Sequence, residues 1–354
     1  MSVAATVTTR FELEAVAPFR LDLTVWALRR RPGNAVDRWD GQTYRRAFPT
    51  TGGIADVAVR QVGKSEAARL EVSVTSDGPV DRGRVQAETT AGLRRMLGLQ
   101  IDLGTFYRRA DQDPDLHGLA DRFRGLKPPR FPTLFECLTN AIACQQLTLT
   151  VGIELLSRLA ATYGRRIPGD RLGARSFPEA SDLVGVDPDG LRELGFSHRK
   201  SAALVELAER IEGGELCLED LATVTEDEAI RALRGLRGVG RWSAEYTLLR
   251  GLGRLQVFPG DDVGARNNLK RWLGLDRALD YEEVCRVTSR WAPYSGLVYF
   301  HLLLDRVDQA GWLGVLASQP NEGTDSASIG SSRHVISDPS VRPGDQGVDN
   351  CVSK

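Results

Sequence analysis

At 354 residues the chain is long enough for two or three domains, and with 42% apolar and 26% charged residues it has the make-up of an ordinary globular protein. No apolar run is long enough to span a bilayer, and the first ten residues lack the basic start and apolar core of a secretory signal, so a cytoplasmic, non-membrane protein is expected. A net charge of −1 argues against a strongly basic nucleic-acid binder, although the tail from Ser318 holds five acids against three bases and leaves the remainder at +1.

Residues 10 to about 75 read mostly as strands, with alternation in Phe11-Glu12-Leu13-Glu14-Ala15-Val16 and in Arg69-Leu70-Glu71-Val72-Ser73-Val74. Pro32-Gly33 and Thr51-Gly52-Gly53 mark turns between them. Gln86 to Leu99 reads as a helix with Leu93, Met96 and Leu97 on one face. The expected class is therefore α+β, with a small N-terminal antiparallel sheet and helices over residues 1–112. No catalytic constellation is visible in that part.

Residues 113–317 read as mostly α-helical. Phe131-Pro132-Thr133 opens a helix that runs through Cys144, and Ser197 to Glu212 forms another, closed by Gly213-Gly214. Thr225-Glu226-Asp227-Glu228 is a capping box for a third. Residues 318–354 are rich in Ser, Gly, Asp, Asn and Pro, and read as a disordered polar tail.

The densest information lies between Leu233 and Arg266. One helix ends at Gly238-Val239-Gly240, a second starts at once with Arg241-Trp242-Ser243-Ala244-Glu245-Tyr246, and Phe258-Pro259-Gly260-Asp261-Asp262 follows. Two glycines bend the backbone sharply and leave amide N–H groups uncovered at a helix start, which suits a phosphate oxygen. A carboxylate beside a docked DNA backbone points to chemistry on the nucleotide. Asp262 also sits where an N-cap of the helix from Val263 to Trp272 would sit, and both roles are compatible.

This combination resembles the helix-hairpin-helix/Gly-Pro-Asp DNA glycosylase superfamily, and within it the alkylated-base branch of DNA-3-methyladenine glycosylase II, over roughly residues 10 to 315. The resemblance implies an enzyme of base excision repair that binds double-stranded DNA containing alkylated bases, flips the damaged nucleotide and hydrolyses its N-glycosidic bond. It implies Asp262 as the catalytic carboxylate, stabilising positive charge on the deoxyribose or orienting water. Asp261 is the neighbouring candidate. Trp242 and Tyr246, at i and i+4, would stack on a cationic base, with Gln145 and Leu303 completing its pocket and Gln146 as the wedge in the vacated stack. Leu303 stands where one branch carries a second pocket tryptophan, which narrows the expected substrate range.

Gly238, Gly240 and Arg241 are implied as phosphate contacts, and the backbone carbonyls of Arg234, Leu236 and Val239 as holders of a monovalent cation such as Na⁺ or K⁺. Relatives with lyase activity carry a Schiff-base lysine where this chain has Trp242, so a monofunctional enzyme that requires no cofactor is expected. The cysteines Cys137, Cys144, Cys217, Cys285 and Cys351 form no C-x-x-C pair and lack the cluster spacing of iron–sulfur relatives. His117, His198, His301 and His334 form no metal set. His301, in an apolar helix, reads as a satisfied core residue, and His198 starts a basic helix beside the DNA backbone. A monomer acting at the nucleoid is expected. The alternatives are a glycosylase of the same fold for oxidised or deaminated bases, and a non-catalytic hairpin protein that only binds DNA.

Overall fold

A computed structural model describes residues 6–77, 80–167 and 173–313; the predicted polar tail lies outside them. β1 (Thr6–Glu14) leads into α1 (Leu21–Arg29), followed by β2 (Arg38–Trp39), β3 (Thr43–Thr50), β4 (Gly53–Val62) and β5 (Arg69–Asp77). The strands form one antiparallel sheet in the order β1-β5-β4-β3-β2. Alternation sets its inner face: Ala55, Val57 and Val59 of β4 and Leu70, Val72 and Val74 of β5 are buried. That face is covered by α1 and by α2 (Arg82–Met96), whose Val85, Leu93 and Met96 join the same core.

α1 is the element the sequence reading missed. It was expected within a strand run, because Leu21-Asp-Leu-Thr-Val-Trp-Ala-Leu is almost uniformly apolar and shows no helical period. The structure supplies the reason: every residue of the helix except Asp22 is buried. Leu21, Val25 and Leu28 face the sheet, while Leu23, Trp26 and Ala27 belong to a helical core on the other side. Each large apolar side chain so buried contributes about 1.5–3 kcal/mol, which overrides weak local propensity.

The remaining helices build two clusters. α3 (Gly104–Ala110) and α4 (Leu116–Arg122) pack with α1 and with later helices. α5 (Leu134–Cys144), α6 (Leu149–Tyr163), α7 (Pro188–Glu193), α8 (His198–Glu212), α9 (Glu226–Arg234) and α10 (Arg241–Thr247) make the first cluster. α11 (Val263–Trp272), α12 (Tyr281–Thr288) and α13 (Ser295–Gln309) return to the second, with α1, α3 and α4. The helix starts expected near Thr133 and Ser197 are capped by these residues, which accept from Glu136 N and Lys200 N, and Thr225 and Glu228 form the expected capping box. No helix among the described residues is long and apolar enough to cross a membrane. One buried ion triad fastens sheet to helices: Arg46 of β3 bonds Asp37 at 2.6 Å and Glu136 of α5 at 2.5 Å.

His301 lies fully buried on α13, with its Nδ1 2.9 Å from the Leu297 carbonyl and no partner for Nε2 among the described residues. Its ring is therefore only half satisfied. Burial pushes its pKa from 6.5 down to about 4. The folded protein then binds fewer protons than the unfolded chain between those values, so stability falls as pH drops from 6.5 to 4, by about 3 kcal/mol in full. We expect His301→Leu to flatten this decline in urea midpoints measured against pH; an unchanged slope would exclude His301 as its source.

Candidate active site at the hairpin cleft

Between the two helical clusters lies a cleft of about 470 Å³. The α5–α6 link, α10, the start of α11, α13 and the end of α1 all line it. All the residues expected at the base, namely Trp242, Tyr246, Gln145, Gln146, Leu303 and Asp262, line this one cavity.

The link between α5 and α6 is only four residues long. Gln145 ends α5, Thr148 caps α6 by accepting from Val151 N, and Gln146 between them takes φ +54. A non-glycine residue in that left-handed region carries local strain, here at an exposed tip. The backbone beneath it is pinned by Lys200, whose Nζ donates to the carbonyls of Ala143 and Gln145 at 2.9 and 2.7 Å. Lys200 thus caps the C-terminus of α5 and is not a free surface charge. Gln145 turns its amide nitrogen onto the hairpin, donating to Gly238 O at 2.7 Å and Ser243 Oγ at 2.8 Å.

The two hairpin glycines are needed for different reasons. Gly238 has φ +77, and a Cβ there would lie 2.9 Å from the Ala203 Cβ. Gly240 has φ −92, which any residue adopts, and a Cβ there would meet nothing within 4 Å. Nothing inside the protein asks for glycine at 240; open space in front of an uncovered helix start does, if a backbone must approach. We expect Gly238→Ala to cost about 1–2 kcal/mol of stability. Gly240→Ala is expected to leave the melting temperature unchanged and to weaken binding of duplex DNA at least several-fold. Thermal melts and fluorescence anisotropy check the pair, and equal binding by Gly240→Ala and wild type would count against phosphate docking at this turn.

α10 serves two sides. Trp242 and Tyr246 face the cleft with ring centroids 5.3 Å apart and planes tilted by 37°. Glu245 faces away and braces the acidic loop, accepting from Gly260 N at 3.1 Å and from Tyr281 OH at 2.6 Å. Burial pushes the Glu245 carboxyl up, and the bonds from Tyr281 and Gly260 oppose this. Arg241, expected at a phosphate, pairs with Asp261 at 2.6 Å and lies 3.6 Å from the Tyr281 ring centroid. The neighbouring candidate Asp261 is thus already engaged.

Asp262 combines the two roles left open by its sequence. Its Oδ1 accepts from Ala265 N at 2.8 Å and caps α11. Its Oδ2 accepts from Trp242 Nε1 at 3.1 Å and from Tyr299 OH at 3.2 Å. The cap holds the carboxylate in place while the second oxygen is presented at the cleft between an indole and a phenol.

Three cleft residues escaped sequence reasoning. Tyr299, one helical turn before Leu303 on α13, reaches Asp262 from 37 positions away. Arg30 and Arg31 come from the sheet-bearing half of the chain, in which no functional group was expected. Their only trace was the run Arg29-Arg30-Arg31-Pro32-Gly33. Arg30 ends α1 with φ 61, and its Nη1 donates to Tyr246 OH at 2.8 Å.

Comparison with known proteins identifies the family. Residues 139–293 match the family model of the HhH-GPD superfamily base excision DNA repair proteins, and residues 10–132 match that of the AlkA N-terminal domain. A DNA-3-methyladenine glycosylase of Bacillus subtilis is 28% identical over 224 residues, spanning 63% of this chain and 74% of its own length. DNA-3-methyladenine glycosylase 2 of Escherichia coli is 30% identical over 178 residues, 50% of this chain and 60% of that protein. Among solved structures, the 3-methyladenine DNA-glycosylase from Archaeoglobus fulgidus superposes with a TM-score of 0.68 at 27% identity, covering 85% of this chain and 98% of that one. From the sheet through the hairpin to the Asp262 loop, the chain belongs to the helix-hairpin-helix/Gly-Pro-Asp superfamily of base excision DNA repair proteins.

Proposed function

We propose that this protein is a monofunctional DNA glycosylase that hydrolyses the N-glycosidic bond of alkylated purines, 3-methyladenine and 7-methylguanine, in double-stranded DNA. The observation that carries this reading is Asp262, with one oxygen fixed by the α11 cap and the other held in the cleft by Trp242 and Tyr299. The relatives named for 3-methyladenine excision support the alkylated-base assignment.

In this mechanism the amides at Gly238 and Gly240 dock one phosphate, and the damaged nucleotide rotates out of the duplex with Gln146 filling its place. The base stacks on Trp242 and Tyr246. The C1′–N bond breaks with its electron pair going to the base, so a cationic alkylpurine departs neutral. Asp262 stabilises the positive charge left on the deoxyribose and orients the water whose oxygen bonds to C1′. That water loses its proton to solvent, and an abasic site remains. Among the described residues no lysine lines the cleft, and Trp242 lies in the first turn of α10, which supports hydrolysis without a Schiff base.

Backbone carbonyls of the hairpin would hold a monovalent cation. Among the described residues the carbonyls of Arg234 and Val239 accept no backbone hydrogen bond, and that of Leu236 accepts only from Val239 N at 3.2 Å. A cation held by these oxygens would add positive charge at the phosphate contact without requiring a basic surface. The protein would act as a monomer on chromosomal DNA in the cytoplasm. Incubation with methylated duplex DNA tests the proposal: free 3-methyladenine and 7-methylguanine should appear with strands intact until alkali is added. Binding without release would favour a non-catalytic hairpin protein, and nicking without alkali would exclude the monofunctional class.

A further inference from the structure

The chain reaches Asp262 through a tight turn, closed by Asp262 N donating to Pro259 O at 3.0 Å. Such a turn satisfies its last amide and leaves that of its second residue, Gly260, without a partner inside it. Glu245 supplies the partner: its Oε2 accepts from Gly260 N at 3.1 Å, while its Oε1 accepts from Tyr281 OH at 2.6 Å. Glu245 is 4% exposed and forms no ion pair among the described residues, and the neighbouring Arg241 pairs with Asp261. A carboxylate is costly to bury. A glutamine would cost less, but it has one acceptor oxygen, and two donors converge here.

Tyr281 is held as firmly as the turn it serves. It is the first residue of α12, where Glu283 N donates to Asp280 Oδ1 at 2.8 Å and Asp280 N to Glu283 Oε2 at 3.0 Å. Its ring fills the space beside Gly260, where a Cβ would lie 2.8 Å from ring carbons. The Arg241 guanidinium lies over the same ring, 3.6 Å from its centroid.

We propose that Glu245 and Tyr281 are positioning residues for base release, which fix the Pro259–Asp262 turn to α10 and so set where the Asp262 carboxylate meets the sugar. This inference rests on the glycosylase reading above. The bonds from Ala265 N, Trp242 and Tyr299 orient the carboxylate, whereas the Glu245 bond ties down the backbone that carries it. α10 starts at the hairpin and grips the turn at three successive residues, through Glu245 on Gly260, Arg241 on Asp261 and Trp242 on Asp262. A duplex docked at the hairpin is thereby placed in a fixed relation to the carboxylate. A shift of about 1 Å in such a relation costs on the order of 10²-fold in rate.

The test measures single-turnover release of 7-methylguanine at saturating enzyme, duplex binding and melting temperature for Tyr281→Phe and Glu245→Gln, each alone and combined with Asp262→Asn. Tyr281→Phe keeps the ring beside Gly260 and removes only the hydroxyl, which guards against a folding defect in Glu245→Gln. Saturated release should fall at least fivefold in Tyr281→Phe and at least tenfold in Glu245→Gln, with duplex binding within twofold of wild type. In the Asp262→Asn background either change should slow release less than twofold, because its effect passes through the carboxylate. Full losses that persist in that background would overturn the proposal. So would losses confined to binding or melting temperature, which would leave the pair a structural brace. Wild-type release rates in both single variants would overturn it with the glycosylase reading intact. No release by the wild type would overturn both.

Discussion

Asp262→Asn is expected to slow base release by on the order of 10²–10³-fold, with melting temperature and duplex binding close to wild type. The split arises because the two oxygens of Asp262 do different work. An asparagine oxygen can replace Oδ1 and still accept from Ala265 N, so the α11 cap survives. At the Oδ2 position an amide nitrogen would face two donors, Trp242 Nε1 and Tyr299 OH. The tyrosine hydroxyl can rotate to accept; the indole N–H cannot. The variant therefore loses the negative charge and also unsettles the indole proposed to stack on the base.

Asp262→Ala separates the contributions. It should be as inactive as the asparagine variant and also lose about 1 kcal/mol of stability through the missing cap. Single-turnover release, thermal melts and anisotropy on the same preparations distinguish these outcomes. Wild-type rates in Asp262→Asn would reduce Asp262 to a helix cap. Asp261, tied to Arg241, would then be the carboxylate to examine.

What could be read before the structure was local. The helix starts near Thr133 and Ser197, the cap at Thr225, the Gly238 turn and the Asp262 helix start each depend on residues within four positions of one another, and each is present. Trp242 and Tyr246 share a face because helical spacing dictates it. The residues that escaped depend on distant parts of the chain. Tyr299 meets Asp262 only because α13 packs against α11, and Arg30 meets Tyr246 across 216 positions. α1 failed differently: a helix buried on both faces loses the apolar–polar period by which helices are recognised. No local pattern marks a residue such as Arg30, whose left-handed cap turns a basic side chain into a cleft built by other helices.

Arg46→Met is expected to lower the unfolding free energy by about 3–5 kcal/mol, far more than the loss of any surface ion pair here. Arg46 is 2% exposed, and its two carboxylate partners, Asp37 and Glu136, are nearly as buried. Burial acts against the Arg46 charge, but Asp37 and Glu136 overcome it and push its pKa well above the usual value. Burial pushes the Glu136 carboxyl up, and Arg46 is the chief group opposing that rise. Removing Arg46 leaves two buried acids without a counter-charge, Asp37 keeping only the neutral donors Tyr44 OH and Asn34 Nδ2, so the cost is their desolvation and not merely one lost contact. Arg84→Ala, which breaks the exposed pair with Glu88, supplies the control at about 0.5 kcal/mol or less. Urea unfolding of both variants measures the contrast. If the stranded charge is the cause, adding Asp37→Asn and Glu136→Gln to Arg46→Met should recover most of the loss, because the triad site of the triple variant then holds no ion to desolvate. If the triple variant stays as weak as the single one, the triad's contribution lies in holding β3 against α5, the helix that also carries Asn140 to Arg30 and ends at the cleft.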